Sequence, residues 1–245
     1  MTGEHVGLGL LCVGLAGVAN VLGGVAVTLR HWDHRVLRYA VALGAGFMLA
    51  AVILKMMPEA ARLTPLAPLL VLAGYLLIHL FEHTVAPHFH FGEEIHPEQL
   101  SPHASASALL GLMVHSVFDG ISIGSGFIID RALGLLVFAA IVLHKAPEGF
   151  AIASVVLAAH GTRRQALLAS AAVGAASLVG GLSIFGARSF VGPALGLSAG
   201  VTLYVAATDL VPEVNREGGT GIALTVFAGV VLYYVTERLL GALGI

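Results

Sequence analysis

Two short phrases in the middle of the chain carry residue types able to hold a metal ion. They are His115-Ser-Val-Phe-Asp119-Gly120 and, 29 residues later, His144-Lys-Ala-Pro-Glu148-Gly149. Each reads histidine, three residues, acid, glycine. On a helix, residues four apart share one face with Cβ atoms roughly 5–6 Å apart, so each phrase aims an imidazole and a carboxylate into one space. Two such helices packed together offer two nitrogens and two carboxylates, a set suited to a divalent transition ion such as zinc.

The segments around these phrases must span a lipid bilayer. The 245 residues are 58% hydrophobic and 11% charged, with a mean hydropathy of +0.94. A soluble domain carries roughly 25% charged residues, so this chain cannot cover itself with a solvated surface. The expected fold is all-α: a polytopic membrane protein whose single transmembrane domain, 1–245, crosses lipid with eight helices. Apolar stretches long enough to span fall near 5–29, 37–61, 65–87, 104–129, 132–158, 164–186, 190–213 and 220–242. The net charge of −2 gives no basic footprint for nucleic acid. The single cysteine, Cys12, excludes an intrachain disulfide. The N-terminus lacks the basic stretch of a signal peptide, so the first segment is expected to be a mature helix.

The longest connection, 84–103, holds His88, His90, His96 and His103 with Glu93, Glu94 and Glu98. Such a tract either binds metal weakly or is an ordinary solvated loop. Arginine counts set the orientation. With the N-terminus outside, inner positions hold six arginines (Arg30, Arg35, Arg38, Arg163, Arg164, Arg216) and outer positions four (Arg62, Arg131, Arg188, Arg238).

Asp119, Lys145 and Glu148 fall near the middle of their segments. Each ionisable group at that depth costs about 2.5–3.5 kcal/mol on insertion scales and marks function by default. A dication neutralises the carboxylates and takes the imidazoles as neutral ligands. An ion-pair cluster that merely fixes packing would satisfy Lys145 with one acid but leaves two histidines and the other acid unexplained. Pro147 frees the Leu143 carbonyl from the helical ladder.

An internal repeat organises the rest. Residues 45–59, from Ala45-Gly46 to Pro58-Glu59, align with 199–213, from Ala199-Gly200 to Pro212-Glu213, at an offset of 154. Ala73-Gly74 with Glu82 aligns with Ala228-Gly229 and Glu237 at 155. The second and third segments thus match the seventh and eighth, which gives a three-two-three arrangement of inverted repeats, as in secondary transporters with a midplane site.

The two phrases resemble the signatures of ZIP (Zrt/Irt-like) metal-ion transporters, typically H-N-x-P-E-G and H-x-x-P-E-G. The stretch Gly44-Ala-Gly-Phe-Met-Leu-Ala-Ala51 with the later Met57-Pro58-Glu59 is similar to that family's second helix, and Leu210-Val-Pro-Glu213 to its seventh. The resemblance implies that zinc or a related divalent metal is the substrate, that it moves into the cytosol, and that no organic cofactor is involved. It implies a main site of His115, Asp119, His144 and Glu148, with Met48 as a further ligand. The chain departs from the binuclear pattern of the family. Ser116 replaces the asparagine and Lys145 the second acid, so an ammonium stands where a second ion would sit. Lys55 likewise replaces a histidine of the second helix.

A route follows from the same orientation: Glu59 at the outer end, then His79, Glu82 and His83 on one face of the third segment with Asp209 and Glu213 at the inner end. Snorkelled end charges and helix caps are the bland reading of these groups. No phosphate-binding G-x-x-x-x-G-K-[ST] loop is present in the sequence. The expected protein is therefore a permease of the cytoplasmic membrane rather than an enzyme. Its partners are the ion and the lipid bilayer, and a homodimer is compatible with the sequence. An intramembrane metal hydrolase, with three ligands and a metal-bound water, is the alternative.

Overall fold

The computed structural model describes residues 3–29, 34–84, 102–215 and 219–244. It is all-helical, with no strand among the described residues. Among the described residues, eight helices are long and apolar enough to cross a membrane. The first is α1 (Gly3–Leu29), and α2 runs His34–Ala51, through a π-helical turn Val52–Met56, to Met57–Leu63. Then come α3 (Ala67–Thr84), α4 (Pro102–Ile129), α5 (Arg131–Ala158) and α6 (Arg163–Gly186). Helix α7 joins a short 3-10 turn Arg188–Phe190, Val191–Tyr204, a π-helical turn Val205–Leu210 and Val211–Asn215; α8 is Thr220–Ala242. The chain is an integral membrane protein. His88, His90 and His96 with Glu93, Glu94 and Glu98 lie outside the described residues, as do Arg30 and Arg216.

Local chemistry sets the helix ends. The residue before a proline avoids the helical region; Thr64, before Pro65, is extended at φ −151° and ψ 135° and separates α2 from α3. Asp130 caps α5 by accepting from the Leu133 N–H. Thr162 and Gln165 form a capping box at the start of α6. The π-helical turns were not evident from hydrophobic patterning. Each ends two residues before a proline, Pro58 or Pro212, and each closes with an N–H bonded five residues back, Met57 to Val52 and Val211 to Ala206. Proline clashes with the carbonyl four residues before it, and a widened turn gives its ring room.

Close helix contacts rely on glycine, as expected where lipid supplies no hydrophobic drive between helices. Gly23 of α1 lies on the Ala146 carbonyl of α5, and Gly149 of α5 on the Asn20 carbonyl of α1. Gly180 of α6 lies on the Val117 carbonyl of α4, and Gly120 of α4 on the Ser177 carbonyl of α6. Gly46 and Gly229 join α2 to α8 through the Val226 and Leu43 carbonyls, while Gly200 and Gly74 join α7 to α3 through those of Val71 and Leu197. Exchanging α1 with α6, α2 with α7, α3 with α8 and α4 with α5 maps each of these contacts onto another. The repeat read in the sequence thus reappears as equivalent packing. Gly17 and Gly174 meet each other where α1 crosses α6.

Large apolar side chains cover the outer faces, among them Leu69 and Leu80 of α3 and Phe227 and Leu239 of α8. Among the described residues, the buried histidine and charged side chains are His115 and Asp119 of α4, His144, Lys145 and Glu148 of α5, and Asp209 of α7.

Candidate metal centre

His115 and Asp119 stand one turn apart on α4, His144 and Glu148 one turn apart on α5, and the two helices pack together. One ligand atom from each of the four lies within 4.8 Å of every other. His115 is 4% exposed and the other three are fully buried. The two imidazole rings are 5.6 Å apart, and both Nε2 atoms approach a single oxygen, Asp119 Oδ2, at 3.1 Å from His115 and 3.4 Å from His144.

The Nδ1 of His144 is 3.2 Å from the Ala140 carbonyl. A carbonyl only accepts, so Nδ1 carries the hydrogen and a neutral ring keeps its lone pair on Nε2. This backbone bond to the remote nitrogen is the arrangement that orients metal-ligating histidines. Asp119 Oδ1 and His115 Nδ1 have no hydrogen-bond partner among the described residues. A buried group of lone-pair donors turned on one another is costly, and a cation between them removes that cost.

Lys145 is part of the same cluster. Its fully buried ammonium is 2.7 Å from Asp119 Oδ2 and 2.5 Å from Glu148 Oε2, and it donates to Ser116 Oγ at 2.5 Å. The Ser116 hydroxyl donates in turn to Glu148 Oε1 at 2.8 Å. Of the two residues that depart from the binuclear pattern, Lys145 thus bridges the two carboxylates and Ser116 links the ammonium to Glu148. Pro147 leaves α5 unbroken, and the Leu143 carbonyl faces Gly44 of α2, 3.5 Å from where a Cβ would stand.

The other sequence candidates lie elsewhere. Met48 is fully buried in an apolar cluster with Leu112 and Ala140, one turn from His115 and His144. Glu59 pairs with the exposed Arg62 at 2.9 Å. On α3, His83 Nδ1 meets the His79 carbonyl at 2.8 Å and the two exposed rings stand 4.2 Å apart. Half-buried Glu82 neighbours the Tyr204 hydroxyl. Asp209 is buried in the π-helical turn of α7, and Glu213 is half-buried beyond it. The structure does not bring these groups into the four-residue cluster.

A second polar region escaped the sequence reading. Tyr75 on α3 bonds to Thr208 on α7 at 2.8 Å, and the Tyr75 and Tyr204 rings meet edge-on at 5.0 Å. The signal for it was the repeat itself. Lys55 in the π-helical turn of α2 is 3.7 Å from Glu237 on α8. The aligned positions, 154 and 155 residues away, are Asp209 and Glu82. One half therefore carries an ammonium with a carboxylate where the other carries two carboxylates.

Residues 92–237, more than half of the chain, match the family described as ZIP Zinc transporter. The chain belongs to the ZIP zinc transporter family. Among its ZIP relatives is zinc transporter ZIP9-B of Xenopus laevis, 32% identical over 160 residues, which cover 59% of this chain and 52% of that protein. Zinc transporter ZIP9 of Micropogonias undulatus is also 32% identical over 160 residues, covering 59% and 50%. Zinc transporter ZIP9 of Macaca fascicularis is 33% identical over 144 residues, covering 50% and 61%. The alignments with these ZIP relatives span about half of their length.

Proposed function

We propose that the chain is a permease that carries zinc through the membrane on the side chains of His115, Asp119, His144 and Glu148, and that zinc is substrate rather than a resident cofactor. The observation that carries this reading is the convergence of those four ligand atoms within 4.8 Å, with their residues almost wholly buried. Family membership supports zinc over a hydrolytic role. Iron(II), manganese and cadmium suit the same mixed nitrogen and oxygen donors.

The site takes one ion. Asp119 and Glu148 bring two negative charges and Lys145 one positive, so a single dication takes the cluster from −1 to +1 and a second would take it to +3. A second would face a fixed ammonium 2.5 Å from Glu148. In this reading Met48, buried in the same apolar cluster as Leu112 and Ala140, is a soft further ligand that the ion meets when the helices shift.

The eight helices form two inverted three-helix units around α4 and α5, a reading supported by the exchangeable glycine contacts. With the N-terminus outside the cytoplasmic membrane, Glu59 receives the ion. Asp209, Glu82 and Glu213, with His79 and His83, receive it on the cytosolic side. The acid pair at 82 and 209, in place of a lysine–glutamate pair, supports that direction of release.

Zinc flux into proteoliposomes tests the reading. Flux that His144→Ala abolishes, with no hydrolysable substrate present, supports the permease; absence of flux in the native protein refutes it.

A further inference from the structure

Many described hydroxyls on these helices bond to their own backbone. Ser154, Thr202, Thr225 and Thr236 each donate to the carbonyl four residues back, at 2.8–2.9 Å. Ser122, Ser125 and Ser198 do not. All three are fully buried, and none of their hydroxyls has a hydrogen-bond partner among the described residues, which is also true of Ser177 on α6. Leaving a buried hydroxyl unpaired costs on the order of 1–3 kcal/mol, and serine has a local bond available to avoid it.

The three share one helix interface. Val114 and Phe118 of α4 pack against Val201 and Tyr204 of α7. Ser122 and Ser125 follow Phe118 by four and seven residues, so they continue its face. Ser198 precedes Val201 by three and continues the α7 face. The helices are antiparallel neighbours, so both series run the same way from the Phe118–Val201 contact, away from His115 and towards Ile129. The other faces of this part of α4 are taken: Gly120 and Gly124 lie on α6, and Gly126 on α5. Ser122 also lies one turn from Asp119, on its outer side in the proposed orientation.

We propose that Ser122, Ser125 and Ser198 form a hydroxyl ladder that passes the dication, still partly hydrated, along the α4–α7 seam to Asp119. The idea rests on the permease reading above. A hydroxyl oxygen accepts a hydrogen bond from a shell water or offers a lone pair to the ion itself. Neutral hydroxyls bind a dication weakly, which suits a step the ion must leave as readily as it reaches. The apolar residues beside them, Ile123 and Phe127 of α4 with Leu195 and Ala199 of α7, are buried in one cluster and offer no such donor.

The test uses the full chain with Cys12 replaced (Cys12→Ala), reconstituted in vesicles and given zinc, cadmium or manganese chloride. Ser122→Ala and Ser198→Ala are each expected to slow zinc flux about fivefold, the equivalent of one neutral hydrogen bond. Zinc binding by the detergent-solubilised variants stays as in the parent. Ser122→Cys places a soft thiolate donor on the path and is expected to raise the cadmium-to-manganese flux ratio several-fold, a readout that a packing role does not move. Parent-like flux and an unchanged ratio in these variants, with zinc flux intact in the parent, overturn the ladder alone. Loss of zinc binding together with flux also overturns it, because the serines then serve packing. Absence of flux in the parent overturns the permease reading itself.

Discussion

Lys145 reaches Asp119 across the α4–α5 contact, with its ammonium 2.7 Å from the same Oδ2 that both histidines approach. In the proposed one-ion site the lysine neutralises part of the charge that a second dication would need. Replacing it with an apolar residue of similar length, Lys145→Met, leaves two buried carboxylates without their cation. Breaking one side of a buried pair costs about 3–5 kcal/mol. The expected outcome is a lower unfolding temperature in metal-free detergent and a larger stabilisation by added zinc than in the native protein. Equal zinc responses would argue against a shared site for ammonium and metal.

The cluster predicts metal stoichiometry. The native protein is expected to bind one zinc tightly at the centre, measured by calorimetry against elemental analysis. His115→Ala and His144→Ala should each weaken that binding at least by the roughly 10–100-fold typical of lost supporting residues around a metal. Two tightly held central ions would contradict the single-site reading.

Gly120 and Gly149 carry the close contacts that seat the two phrases on their neighbours, α4 on α6 and α5 on α1. A Cβ at Gly120 meets the Ser177 carbonyl, and one at Gly149 meets the Asn20 carbonyl. Neither backbone can yield locally, so Gly120→Ala and Gly149→Ala should each destabilise by about 1–3 kcal/mol, the range for overpacking. Both should also weaken zinc binding, because the helices that carry the ligands are displaced from their seats on α6 and α1. Thermal unfolding with and without zinc reads both effects.

The two repeat-related polar pairs should respond differently. The Lys55–Glu237 pair is 3.7 Å apart and one third exposed, so Glu237→Gln should alter stability by no more than about 1 kcal/mol and leave flux nearly unchanged. Asp209 is buried at the aligned position. Asp209→Asn removes a charge from the proposed release side and should slow zinc flux more than tenfold while zinc binding at the centre persists. Equal flux in the two variants would remove the functional difference between the halves.

Composition alone determined that the chain lives in lipid, and hydropathy placed its eight spans, because a bilayer demands long apolar runs and satisfied backbones. The spacing of His115 with Asp119 and of His144 with Glu148 was also legible, since a helix puts residues four apart on one face wherever it lies. The repeat at Gly46 and Gly200 announced equivalent packing before any contact was known. Tertiary structure decided the rest. Where α4 and α5 sit depends on Gly120 letting α4 approach α6 and Gly149 letting α5 approach α1, and only the resulting packing of α4 on α5 puts Lys145 between two carboxylates rather than in front of one. The π-helical turns at Val52–Met56 and Val205–Leu210 depend on how each helix accommodates its proline within the packed bundle. The unpaired serines at 122, 125 and 198 became visible only against neighbouring helices, because a buried hydroxyl's want of a partner is a property of its surroundings and not of its residue type.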